Sequence, residues 1–348
     1  MAGLAETAEY VVSAAVWAPS VHNTQPWWFM ADGSGLSLYA DRGRQLTVAD
    51  PDGRELMISC GAALFTARLA LRSLGYIPDA SITPDPDDPA LVARLTWPDR
   101  AAPADYERRL FGQVTSRRTH RGGFDRAPLA PQLLTALRAG VTRDQAVLHV
   151  ADAVGRAVLA AAVQAAEETL RLNASYLQEL SAWVAPPGSI RPDGVPAAAY
   201  PDRPEHTDPD FPGRDFAHGH HWGVPRFGSP TSYRSAGVAC VLATDQDRPV
   251  DWVNAGQALQ RLLLTSSACG VAAALHSQPI EVETARQVVR HQLCGGAYPQ
   301  LVLRLGTVIQ TATSVRRPAA SVLRYGRAQD RREDPPDGTQ QQLHLPVG

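Results

Sequence analysis

The sequence predicts an α+β fold in which helices wrap mixed sheets; the first of three observations points to it, the second removes two competing folds, and the third narrows the partner. Long stretches with apolar residues at helical spacing alternate with short apolar runs of strand length. Neither G-x-G-x-x-G nor G-x-S-x-G occurs, which argues against a dinucleotide fold with the usual fingerprint and against a nucleophile-elbow hydrolase. The 33 basic side chains nearly balance 35 acidic ones, leaving a net charge of −2. That balance lacks the footprint that nucleic acid or an anionic membrane requires, so a small-molecule partner is expected.

In chain order, residues 5–16 read as a short apolar helix ended by Pro19, and residues 28–30 and 36–39 read as strands. Residues 54–76 carry the longest helix signal of this half. Leu56, Ala63, Leu64, Ala67 and Leu71 share one stripe there, and Gly75 marks the end. Residues 91–97 read as a strand. A second pass over the same plan opens at residues 108–124 with a helix ending in arginines. It continues with helices at 131–139, 155–184 and 251–274 and strands at 146–151, 238–244 and 300–306. No repeat is visible residue by residue.

Residues 186–230 differ in kind: ten prolines in 45 residues forbid long helices and central strands. The segment also carries Tyr200, Phe211, Phe216, Trp222 and Phe227, which disordered segments typically lack, so a packed lid is expected. The polar, proline-bearing tail 326–348 is expected to be mobile. Cys60, Cys240, Cys269 and Cys294 form no C-x-x-C pair and read as buried, unreactive thiols. The start of the chain lacks a basic leader region, and Arg156 and Arg261 interrupt the most apolar helical runs. A cytoplasmic protein without a membrane span is expected.

Every basic residue is arginine, which excludes a Schiff-base, P-loop or kinase-type lysine. Any phosphate must then be held by guanidinium groups or backbone amides. Three polar clusters could carry chemistry. APSVHNTQPWWF, residues 18–29, compresses Ser20, His22, Asn23, Gln25 and two indoles into one loop. A buried loop this polar must satisfy its donors and acceptors, either by capping helices and turns or on a heteroaromatic ligand. SRRTHR, residues 116–121, and SVRRP, residues 314–318, offer guanidinium forks that suit phosphate oxygens or a solvated surface. His218, His220 and His221 form an HxHH group with no further ligand set, and they read as lid residues with no metal site assigned.

These clusters, in this order, resemble the nitroreductase-like FMN-binding superfamily, and more closely its Acg branch, in which two nitroreductase-like units lie in one chain. The loop at 18–29 is similar to the flavin-ring loop. RRTHR resembles an R-x-S/T-x-R element, SVRRP a K-x-R-x-P phosphate element, and LHSQPIE, residues 275–281, the segment running past the flavin N5. The resemblance implies an internally duplicated fold, a pseudo-dimer with units at 1–107 and 108–325 and a lid insertion at 186–230. It implies FMN as cofactor, with Ser20, His22, Asn23 and Gln25 along the isoalloxazine. Arg117, Thr119, Arg121 and Arg316 would take the ribityl and phosphate groups, with Arg317 a weaker candidate. Gln278, Pro279, Ile280 and Glu281 would pass near N5 through their backbone.

Ser314 stands where many relatives have a basic residue, so the phosphate site would have one charge fewer. The implied reaction is ping-pong transfer from NAD(P)H through FMN to a small aromatic or quinone-like acceptor, with no catalytic side chain, in a chain that is a monomer or a loose dimer rather than an obligate one. The alternative is a protein that sequesters FMN under its lid without turnover.

Overall fold

Two similar five-stranded sheets are held together by a pair of long helices. The computed structural model describes residues 3–82, 88–202, 205–216, 222–224, 234–308 and 313–326. From its start the chain runs α1 (Leu4–Ala15), β1 (Trp27–Asp32), β2 (Gly35–Ala40), α2 (Arg54–Ser73), β3 (Tyr76–Ser81), β4 (Leu91–Arg100), α3 (Asp105–Phe111) and the short β5 (Thr119–His120). Then follow α4 (Pro131–Thr142), β6 (Val147–Val150), α5 (Ala153–Arg171) and α6 (Ala174–Ala182). Two parallel two-stranded pairs lie in or beside the proline-rich segment. They are β7 (Val184–Ala185) with β8 (Val195–Pro196), and β9 (Thr207–Asp208) with β10 (Arg234–Ser235). The chain closes with β11 (Val238–Thr244), α7 (Pro249–Ala268), β12 (Ala272–His276), α8 (Gln278–Glu281), α9 (Glu283–Leu293), β13 (Tyr298–Gly306) and β14 (Leu323–Tyr325).

The sheets have the orders β14-β1-β2-β4-β3 and β5-β12-β13-β11-β6. Both are antiparallel except at one edge, where β14 pairs with β1 and β5 with β12 in parallel. The mixed α+β architecture is therefore the one expected. Each parallel edge strand ends an arm: residues 112–120 after α3, and residues 313–325 after β13.

Between the sheets α2 and α7 cross at two glycines. A Cβ on Gly61 would sit 2.0 Å from the Val253 carbonyl oxygen, and one on Gly256 would sit 2.0 Å from that of Ile58. Only glycine lets the two backbones approach so closely. The contact is reciprocal, since Ile58-Ser59-Cys60-Gly61 meets Val253-Asn254-Ala255-Gly256. By length and composition alone α2, a run not singled out from sequence as a possible span, could cross a membrane. Here it is a core helix: Leu56, Leu64 and Leu71 are fully buried, each contributing about 1.5–3 kcal/mol by burial.

Four boundaries differ from expectation for local reasons. The helix expected to reach residue 76 stops at Ser73, because Gly75 at φ 79° turns the chain into β3. Residues 108–124 hold no single helix; α3 ends at Phe111, and the arginine element runs through turns into β5. The helix expected over 155–184 breaks at Asn173, whose side chain caps α6 by accepting from the Tyr176 amide at 3.1 Å. Residues 272–276, rich in alanine, form a strand because β13 and β5 flank them; pairing overrides alanine's helix preference. Cys269 is exposed, contrary to expectation, and the other three thiols are buried. His218, His220, His221 and Phe227 and the tail from residue 327 lie outside the described residues.

Candidate functional site

The loop between α1 and β1 holds three non-glycine residues at positive φ: His22 at 44°, Asn23 at 56° and Gln25 at 50°. Such a conformation needs outside support. Ser20 Oγ accepts from the Gln25 amide at 2.9 Å. Asn23 Nδ2 donates to the carbonyls of Gly194 (2.9 Å) and Val315 (3.2 Å). Gln25 Nε2 donates to the Pro192 carbonyl at 2.9 Å, while its Oε1 accepts from the Arg317 amide at 2.8 Å. Both amides thus fasten the proline-rich segment and the C-terminal arm to this loop. Arg317 belongs to the same fastening, its Nη1 donating to the Gln25 carbonyl at 3.2 Å.

Around Trp17, at the end of α1, the two arms deliver guanidinium groups. Arg316 Nη2 and Arg117 Nη2 both donate to the Trp17 carbonyl, at 3.2 and 3.4 Å. Arg316 and Arg118 lie over the Trp17 ring at 5.5 and 5.0 Å. Arg316 also donates to Asn23 Oδ1 at 3.1 Å. Arg121 donates to the Ala199 carbonyl at 3.3 Å and lies 5.4 Å from the Phe216 ring. Arg117 Nε and Nη1 and Arg316 Nε are buried without a hydrogen-bond partner. Among the described residues no carboxylate pairs with Arg117, Arg121 or Arg316. Burial, and then the neighbouring arginine charges, push the pKa of Arg117 down to about 10 and that of Arg316 well below its ordinary value. Unpaired buried cations are costly, and an anion seated among them would offset that cost.

Beside this cluster opens a cavity of about 1310 Å³, its open mouth included. Ser20 and His22 line it, with Thr119, Arg121 and Gln278; Asn23, Gln25, Arg117, Arg316 and Arg317 do not. Pro279 and Ile280 are buried behind Gln278 in α8. The apolar wall is Ile58, Leu259, Leu275 and Leu301, and the proline-rich segment closes over it with Tyr200, Phe211 and Phe216.

Arg214 of that segment reaches several cavity groups at once. Its Nη2 donates to Glu281 Oε1 (2.9 Å) and Ser277 Oγ (3.0 Å), and its Nη1 to Tyr176 Oη and to His22 Nε2 (3.0 Å). On the far side Arg304 Nε donates to His276 Nε2 at 2.8 Å, leaving His276 Nδ1 buried and unpaired. Burial first, then the adjacent arginines, hold His22 and His276 well below the usual histidine range, so both are neutral. Glu55, in the first turn of α2, lines the cavity, and burial followed by the Glu281 charge pushes its carboxyl up to about 8. Sequence reasoning missed Arg214, Arg304, His276 and Glu55. A charged or imidazole residue in the otherwise apolar strands LVLRLG and AAALH was the available signal for two of them.

No family model matches the chain. It is 35% identical over 310 residues to a Mycobacterium tuberculosis protein named "Putative NAD(P)H nitroreductase Rv3131", covering 87% of this chain and 85% of that one. It is 29% identical over 295 residues to "Putative NAD(P)H nitroreductase acg" of the same organism, covering 83% and 85%. A solved nitroreductase with bound FMN from Bacteroides fragilis aligns with 60% of this chain and 94% of its own, at 10% identity and a TM-score of 0.36. On the strength of the sequence relatives, the chain belongs to the nitroreductase-like family of oxidoreductases, in its Acg-type branch.

Proposed function

We propose that the protein is an FMN-dependent oxidoreductase that accepts electrons from NAD(P)H and passes them to a small aromatic or quinone-like molecule. The observation that carries this reading is a group of guanidiniums, buried Arg117 with half-buried Arg121 and Arg316, in which Arg117 and Arg316 keep orphaned N–H donors and none pairs with a carboxylate among the described residues. A phosphate fits it by charge and by fork geometry. In this reading the three arginines and Thr119 hold the phosphate and ribityl end, while Ser20 and His22 meet the ring in the adjoining cavity. Asn23, Gln25 and Arg317 act on the ligand through the loop they fasten, and Gln278, Pro279 and Ile280 form its far wall. A bound flavin would supply storage and transfer of two electrons; the chain supplies orientation, exclusion of water and charge.

The reciprocal Gly61 and Gly256 contact and the two sheets with one parallel edge each support an internal duplication. One chain then joins a loop and arms that separate subunits would otherwise contribute, and a monomer with one site follows. Light scattering that finds only a tight dimer would contradict this.

The test is to incubate the purified protein with FMN, remove free ligand, record the absorption spectrum, and then mix anaerobically with NADPH and a naphthoquinone. Retained flavin that bleaches with NADPH and recovers with quinone is expected. Protein that keeps no FMN overturns the reading, and flavin that stays oxidised would make this a sequestering protein.

A further inference from the structure

Beneath Arg214 lies a cluster of carboxyls, of which Glu55 lines the cavity, that binding of a phosphorylated ring does not explain. Glu55 (α2) and Glu281 (α8) are both buried, with side chains 6% and 0% exposed. Each spends one oxygen on an arginine: Arg54 Nη2 donates to Glu55 Oε1 at 2.9 Å, and Arg214 Nη2 to Glu281 Oε1 at 2.9 Å. In each the second oxygen, Oε2, is buried without a partner. The charges around them do not balance. Asp50, whose carboxylate accepts the Glu55 and Leu56 amides at 3.0 and 2.8 Å, makes a third carboxyl against two guanidiniums. His22 is neutral, Tyr176 keeps its proton, and Glu167 adds a further acidic group bonded to Gln278 Nε2 at 3.2 Å. A dry site with more carboxyls than cations retains a proton.

Resting on the flavin reading above, we propose that Glu55 holds that proton on Oε2, kept there by the neighbouring Glu281, and donates it to an acceptor reduced in the cavity. Reducing a quinone to a hydroquinone takes two electrons and two protons. Both electrons and one proton arrive as hydride from reduced flavin, which is thereby oxidised. The second proton leaves Glu55 Oε2 for the other quinone oxygen, and the carboxylate recovers it from water at the cavity mouth. Glu55 suits the task because it lines the cavity while Glu281 is committed to Arg214.

Infrared difference spectroscopy on the flavin-free chain tests the first half. A protonated-carboxyl C=O band is expected at neutral pH, lost in Glu55→Gln, and titrating at lower pH in Glu281→Gln, where the like-charge neighbour is gone. A band that survives Glu55→Gln, or a midpoint unmoved by Glu281→Gln, overturns the proposal even if one variant folds poorly. In the flavin-loaded protein Glu55→Gln should slow quinone reduction about 100-fold or more with KM little changed and flavin reduction by NADPH unaffected. An unchanged rate removes the donor role. A chain that holds no FMN but shows the Glu55 band defeats the flavin reading alone.

Discussion

Arg316 donates from Nη1 to Oδ1 of Asn23 at 3.1 Å across 293 residues of chain, so the C-terminal arm ends its polar run on the first loop of the molecule. The same Asn23 holds Gly194 of the proline-rich segment and Val315 of the arm. One amide therefore ties three distant segments at the edge of the cavity. Replacing it with alanine leaves buried carbonyls unsatisfied and a Cβ residue with no polar side chain at φ 56°. Asn23→Ala should lose about 1–3 kcal/mol of stability, measured by urea unfolding with an unchanged m-value. No measurable loss would show that the junction is held elsewhere.

Arg117 should act with opposite signs in the free and loaded protein. Its buried charge faces other arginines and, among the described residues, no carboxylate, so Arg117→Ala should raise the melting temperature of the flavin-free chain. The same variant should weaken FMN retention by roughly 1.5–3 kcal/mol, about ten- to a hundredfold in Kd, as should Arg316→Ala. Fluorescence titration with FMN, paired with melting curves, reads both; matching signs would place Arg117 outside a phosphate site.

At the helix crossing, Gly61→Ala or Gly256→Ala drives a Cβ into a backbone carbonyl oxygen that cannot move without its helix. Each should cost at least about 3 kcal/mol or abolish folding. Gly3→Ala, where a Cβ meets nothing within 4 Å, should change stability little. Circular dichroism melts of the three variants suffice.

Stability should fall as the pH rises through the region between the unfolded and folded titrations of Glu55. Its carboxyl is raised from 4.5 to about 8 by burial and by Glu281, so the folded state binds the proton more tightly. The associated stability is complete below the unfolded value and is lost on approach to the folded one, at no more than about 1.4 kcal/mol per pH unit. Glu55→Gln should flatten that decline, although Asp50 and Glu167, also raised by burial, leave part of it. A pH profile identical to that of the parent would mean that Glu55 ionises freely in the fold.

Much of the fold was legible along the chain. The strand at Val238–Thr244 and the start of α2 at Arg54 were found where the periodicity put them. The losses came where long-range pairing decides the state: β12, an alanine run made into a strand by its neighbours, and β14, three residues that become a strand only beside β1. At the site, the sequence marked the arginines and the polar loop by type but not their division of labour. Asn23 and Gln25 look like ligand groups because amides recognise rings, yet the same donors and acceptors serve equally well on main-chain carbonyls.

The sequence by itself determined the alternation of helix and strand, the absence of lysine and the presence of arginine elements that resemble a family pattern. Those properties are local, set by side-chain type and spacing. Only the tertiary structure decided which guanidiniums would be left without a carboxylate, which carboxyl would be kept neutral, and that Arg214 would reach His22 and Glu281 together. Most of these burial and charge partners come from segments tens to hundreds of residues apart, beyond the reach of any local window along the chain.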